Sequence, residues 1–227
     1  MTIKQVELTP HPTVFVGDVT FFGRGYGILV FRSPHDKKNP FFCEVGGENA
    51  GIYRDGRKAL EAQGYVFQAV VLDGRKGVRE IFSDIPVQMC HFHQTAILKR
   101  YLTSKPKLEA GQELRAIGKT LLFISEPEFT CLLDEWYERW MVFLRERTYA
   151  EDGKHFHYTH KKIRSAYRSL RDNLPFLFTY QKHPELNIPR TTNSLDGFFG
   201  QMKTLLRVHR GLSKKRRWRV IQEILRR

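Results

Sequence analysis

The sequence predicts an α/β layer fold on a mixed, five-stranded sheet flanked by helices, and three observations lead there. Short runs rich in β-branched and aromatic residues come first, joined by tight polar links. Two further apolar runs are then separated by stretches of helical period, and beyond Ser104 strand signals stop. Strands joined by hairpins pair antiparallel and strands reached by helical crossovers pair parallel, so the two kinds of connection together require a mixed sheet.

Residues 13–22, TVFVGDVTFF, read as the first strand, with Asp18 in its middle. Gly23-Arg24-Gly25 suits a hairpin turn into a second strand at 26–32, and the polar loop from Ser33 to Asn39 leads to a third at Pro40 to Val45. Residues 52–63 then place Tyr53, Ala59 and Leu60 on one helical face and stop at Gly64. The apolar run 65–72, YVFQAVVL, closed by Asp73-Gly74, is a buried strand. A brief helix at Val78 to Phe82, a short strand at 86–90 and a helix from His93 to Leu102 complete the alternation. Helices follow at 108–123, 127–147 and 160–173. The second carries Phe129, Leu132, Leu133, Trp136, Trp140 and Phe143 at core spacing. Pro175 to Pro189 reads as a loop or extended stretch, and 191–209 as a helix opened by Thr-Thr-Asn.

The 227 residues carry 38 Lys and Arg against 24 Asp and Glu, a formal net charge of +14, which points to a polyanionic partner. Most of that charge is local. From Gln201 to Arg227 ten Lys and Arg face one acid, Glu223, so this stretch alone holds +9. Arg207, Arg210, Lys214, Lys215, Arg216 and Arg217 would make it a phosphate-facing surface. A composition 41% hydrophobic and 13% aromatic excludes a disordered chain. Three cysteines, an odd number, argue against a disulfide framework and for a reducing, cytoplasmic setting. The first residues lack a secretory pattern and no apolar run is long enough to span a bilayer, so no membrane partner is expected.

Three acids stand out. Asp18 shares a strand face with Val14, Val16 and Thr20, and a carboxylate in an apolar row calls for a metal or a cation. Asp73 lies at the carboxyl end of its strand, where open α/β sheets gather ligands. If the two strands are neighbours the carboxylates converge, and hard oxygens so placed suit Mg²⁺. Asp196 supplies a third: at helical spacing Asn193, Asp196, Gly200, Lys203 and Arg207 form a polar, basic stripe opposite Leu195, Phe198, Phe199, Met202, Leu205 and Leu206. Cys90 and His93 have the spacing of two zinc ligands, but no second pair is evident beyond His155, His157 and His160.

Taken in order, VGDVTFFGR, VVLDGRKGV, QMCHFHQ and RTTNSLDGFFGQMK resemble the catalytic core of insertion-sequence transposases of the Mutator-like group, over roughly Val14 to Arg210. The resemblance implies an RNase H-like fold with an all-helical insertion before the last catalytic helix. The chain then divides into a first part of the core (1–104), a mostly helical insertion (105–188), and a final catalytic helix with a basic tail (189–227). It further implies that Asp18, Asp73 and Asp196 hold two Mg²⁺ or Mn²⁺ ions, and that a homo-oligomer cleaves and joins double-stranded DNA, at element ends and at a target. Cys90 and His93 match a Cys-x-x-His motif of the group. Arg24, Arg75, Lys76, His93, Asn193, Lys203, Arg207, Arg210 and the basic residues after it would contact DNA.

Two departures bear on activity. The third acid of these transposases is usually Glu, one methylene longer than Asp196. Only seventeen residues precede Asp18, where the group carries an amino-terminal DNA-binding region. A truncated, catalytically impaired relative that only binds DNA is therefore the alternative expectation.

Overall fold

The central strand, β1 (Pro12–Phe21), pairs antiparallel on one side with β2 (Gly27–Ser33) and parallel on the other with β4 (Val66–Leu72). With β3 (Lys38–Val45) and β5 (Val87–Met89) the sheet has the order β3-β2-β1-β4-β5. These relations come from a computed structural model that describes residues 11–209 and 211–226. The mixed five-stranded sheet expected from the connections is present.

Strand alternation divides the core into two layers. Phe15, Leu29, Phe31, Val70 and Leu72 point to one face and are covered by α1 (Ala50–Ala62), the crossover between β3 and β4. Gly56 lets this helix approach, since a β-carbon there would stand 2.7 Å from the Phe31 ring. The short α2 (Lys76–Arg79) runs into a 3₁₀ turn at Glu80–Phe82, which adds Phe82 to the same layer. On the other face Val14, Val16, Ile28, Val30, Ala69 and Val71 pack against two helices late in the chain.

A separate core lies beside β5. Here α3 (His91–Leu102), α4 (Glu109–Thr120), α5 (Glu126–Arg145) and α6 (Lys161–Leu177) bury Leu98, Leu114, Phe129, Leu133, Trp136 and Leu170. The aromatic spacing of α5 is thus core spacing. This region is not all-helical as expected: β6 (Arg147–Tyr149) and β7 (Phe156–Tyr158) form a hairpin between α5 and α6. Three-residue strands around Asp152-Gly153 leave no periodic signal to read.

Two more expectations give way to tertiary contacts. The stretch from Pro175 is not a loop: α6 continues through Pro175 to Leu177, followed by α7 (Thr179–Lys182) and a 3₁₀ turn. Buried Gln88 on β5 holds it, its amide donating to the Leu177 carbonyl at 2.9 Å and its oxygen accepting from Tyr180 N at 3.0 Å. Gln88→Leu strands those groups and is expected to cost about 3 kcal/mol, read as a lower urea midpoint with an unchanged slope.

The last helices are α8 (Asn193–Val208) and α9 (Lys214–Leu225), so the basic tail is also corrected to a docked helix. Trp218, Ile221, Ile224 and Leu225 recur at helical spacing and pack α9 on the sheet face shared with α8, while Ser213 caps its start. On α8 Leu195, Phe199, Met202 and Leu206 are buried as expected, but Leu205 is exposed because the apolar stripe is only one buried residue wide there. Among the described residues no helix is long and apolar enough to cross a membrane, and Cys43, Cys90 and Cys131 are all free thiols.

Candidate active site

Asp18 lies on the middle strand of the sheet, on the face covered by α8. It is 7% exposed, and its Oδ1 accepts a hydrogen bond from Val19 N at 2.8 Å. Burial pushes its pKa up to about 7, against the pull of His93 and the Val19 bond, and the charges of Asp196 and Asp73 push it the same way. Asp18 therefore feels the charge of both other acids singled out in the sequence.

Asp73 follows directly on β4, the parallel neighbour of β1. Its Oδ1 accepts from Arg75 N at 2.9 Å, an Asx turn that fixes the carboxylate at the end of the strand. The turn depends on Gly74, whose φ is +91° and whose missing side chain leaves room for Met89. Asp196 sits in the first turn of α8, where the helix dipole favours it, and its Oδ2 accepts from Thr192 Oγ1 at 3.0 Å.

Cys90 and His93 have a structural reason in this fold. Cys90 N donates to the Leu72 carbonyl at 2.8 Å, beside Asp73, and Cys90 occupies the position just before α3. Its sulfur accepts from Thr192 N at 3.2 Å and lies 3.4 Å from Thr192 Oγ1. Since Thr192 also bonds Asp196, the thiol ties the end of β4 to the start of α8. Burial opposes ionisation of Cys90, but His93 and Thr192 outweigh it and bring its pKa below that of an ordinary thiol. His93 rises to about 9, first through the Cys90 sulfur and, against burial, through Asp18 and Asp73. Among the described residues its buried Nδ1 has no hydrogen-bond partner.

Glu48, between β3 and α1, was not singled out from the sequence. Its carboxylate accepts from Tyr53 Oη at 2.9 Å and pairs with Arg75 Nη2 at 2.8 Å. Burial raises its pKa, as does Asp73. The signal available was topological: β3 ends opposite the start of β2, which pairs with the end of β1, so a loop acid there emerges at the edge that holds Asp18.

The basic residues fall into two groups. Arg75 Nη2 pairs with Glu48, and its side chain is half exposed. Arg24 in the β1–β2 turn, Asn193, Lys203 and Arg207 on α8, and Lys214, Lys215 and Arg216 on α9 are exposed, while Arg217 is half-buried. Lys214 Nζ lies 5.5 Å from the Tyr26 ring, which brings the start of α9 to the Arg24 turn. Lys76 opens α2, and Arg210 lies outside the described residues.

Among the described residues no three His, Cys, Asp or Glu form a group that could hold a metal ion, and this applies to the zinc expectation for Cys90 and His93 as well. His155 and His160 are occupied by Asp152 and Glu146. Asp73 and Asp196 reach Asp18 as neighbouring charges. Their chemistry nevertheless suits a hard divalent cation: the donors are all carboxylate oxygens, and the most buried has one hydrogen bond, from its neighbour's backbone, to offset its desolvation. Compared with known proteins, the chain matches no family model and no curated protein.

Proposed function

We propose that the chain is the catalytic core of a DNA transposase with an RNase H-like fold, cleaving a phosphodiester at an element end and joining the freed 3′-hydroxyl to target DNA. The observation that carries this is the electrostatic meeting of Asp18, Asp73 and Asp196, from β1, the end of β4 and the start of α8, around a carboxylate too buried to ionise readily. The order of motifs in the sequence supports it independently.

Asp18, Asp73 and Asp196 would hold the divalent ions. When bound, these supply Lewis-acid charge to the attacking and leaving oxygens of an in-line displacement. The chain's own groups do the rest. His93, whose pKa is raised above that of an ordinary imidazole and which feels the charges of Asp18 and Asp73, would offer charge to a phosphate oxygen. Exposed Lys203 and Arg207 on α8, with Lys214, Lys215 and Arg216 on α9, fix the position of the backbone without reading sequence. Cys90 and Thr192 keep Asp196 in register with the strand that carries Asp73.

Incubation of the protein with supercoiled plasmid tests this. Nicked circles are expected with Mg²⁺ or Mn²⁺ and none in EDTA. A second reading, a relative that binds DNA without chemistry, is favoured by Asp196, whose shorter side chain is already engaged by Thr192. Salt-dependent binding with no nicking, even by Asp196→Glu protein, would establish it in place of the first.

A further inference from the structure

We propose that the β6–β7 hairpin is a stacking platform for unpaired nucleotides, a second nucleic-acid contact separate from the aspartate site and independent of its chemistry. Cross-strand partners point to the same side of a hairpin. Arg147 pairs with Tyr158 and Tyr149 with Phe156, so one face carries three aromatic rings and a guanidinium. Two of those rings are open to solvent, Tyr149 at 56% and Phe156 at 44% exposed, while Tyr158 is half-buried. Arg147 lies 4.2 Å from the Phe156 ring centre, and Arg164 covers Tyr158 at 3.6 Å while donating to the Leu144 carbonyl at 2.7 Å.

The base of the hairpin is tied to the neighbouring helices. His160 stacks on Phe143 with ring centres 3.6 Å apart and bonds Glu146, and Thr159 N donates to the Glu146 carbonyl, which joins the hairpin to α5 and α6. Exposed rings interleaved with Arg are what sequence-tolerant base stacking uses.

Charge selects the occupant. Between residues 145 and 164 six Lys and Arg stand against three acids. Two of those acids, Glu146 and Asp152, are taken up by His160 and His155. A phosphate backbone is complementary to such a surface, whereas an apolar peptide or a second copy of the same basic face is not. In a duplex the base faces are stacked away, so the rings are available only to single-stranded or locally unpaired DNA.

The test is fluorescence anisotropy of the full chain in EDTA, with a short labelled single strand, an abasic strand of equal phosphate number, and a duplex. The Tyr149→Ala, Phe156→Ala pair is expected to bind the single strand about tenfold more weakly or worse, and the abasic strand and duplex as before. Tyr149→Phe with Phe156→Tyr keeps the rings and is expected to bind normally. The proposal is overturned if the alanine pair binds the single strand like the parent chain. Equal loss on normal and abasic strands, or loss of self-association with strand affinity unchanged, also overturns it, in favour of plain charge or of a dimer contact. Because no divalent ion is present, the outcome does not depend on whether the aspartates cleave DNA.

Discussion

Asp18→Asn is expected to stabilise the metal-free protein at pH 8, with the gain shrinking as the pH falls. An aspartate in the unfolded chain titrates near 3.8, and burial raises Asp18 in the fold to about 7. Below the lower value both states hold the proton and ionisation costs the fold nothing. As pH rises through the interval the unfolded chain releases a proton that the fold retains, so stability falls until the folded group ionises, and above about 7 the penalty is complete. At about 1.4 kcal/mol per pH unit that penalty is on the order of 4 kcal/mol, or roughly 10 °C in melting temperature for a chain of this size. His93 lowers the stability of parent and variant alike as pH rises from 6.5 through about 9, so it shapes both curves and not the gain itself. Thermal unfolding in EDTA across pH 4 to 8 measures this. A gain that does not change with pH would mean that Asn improves packing and that the carboxylate is not strained.

The second large effect is on chemistry. Asp18→Asn and Asp73→Asn are each expected to reduce metal-dependent plasmid nicking by about a thousandfold or more, the scale of several kcal/mol of charge stabilisation withdrawn from the displaced phosphate. Salt-dependent DNA binding should survive in both, because the exposed cations belong to α8, α9 and the β1–β2 turn. Nicking that continues unchanged in either variant would assign the activity elsewhere.

Much of the sheet was legible because its signals are local. The apolar runs at 13–22 and 65–72 have the composition and length of buried strands, and Asp18 stands out in the first as the acid among apolar neighbours. Asp196 could be read because α8 separates a polar stripe from an apolar one. What escaped depends on distant partners. Pro175 stays in a helix because Gln88, 89 and 92 positions away from the two groups it holds, caps the turn beyond it. The link from Cys90 to Thr192 spans 102 positions, and Glu48 matters only once the ends of β1 and β3 are known to meet at one edge. In α9 the apolar spacing of Trp218, Ile221 and Leu225 was masked by the basic run that suggested a tail. The 147–158 hairpin was invisible because three residues cannot establish a period.

The claim that Asp18, Asp73 and Asp196 act as one cation site is tested most directly by titrating the protein with Mn²⁺ and following the free ion by electron paramagnetic resonance. Saturable binding is expected in the parent chain, tighter at pH 8 than at pH 5.5 because Asp18 must lose its proton, and abolished or severely weakened by Asp18→Asn, Asp73→Asn and Asp196→Asn alike. Equal Mn²⁺ uptake by the three variants and the parent would contradict it.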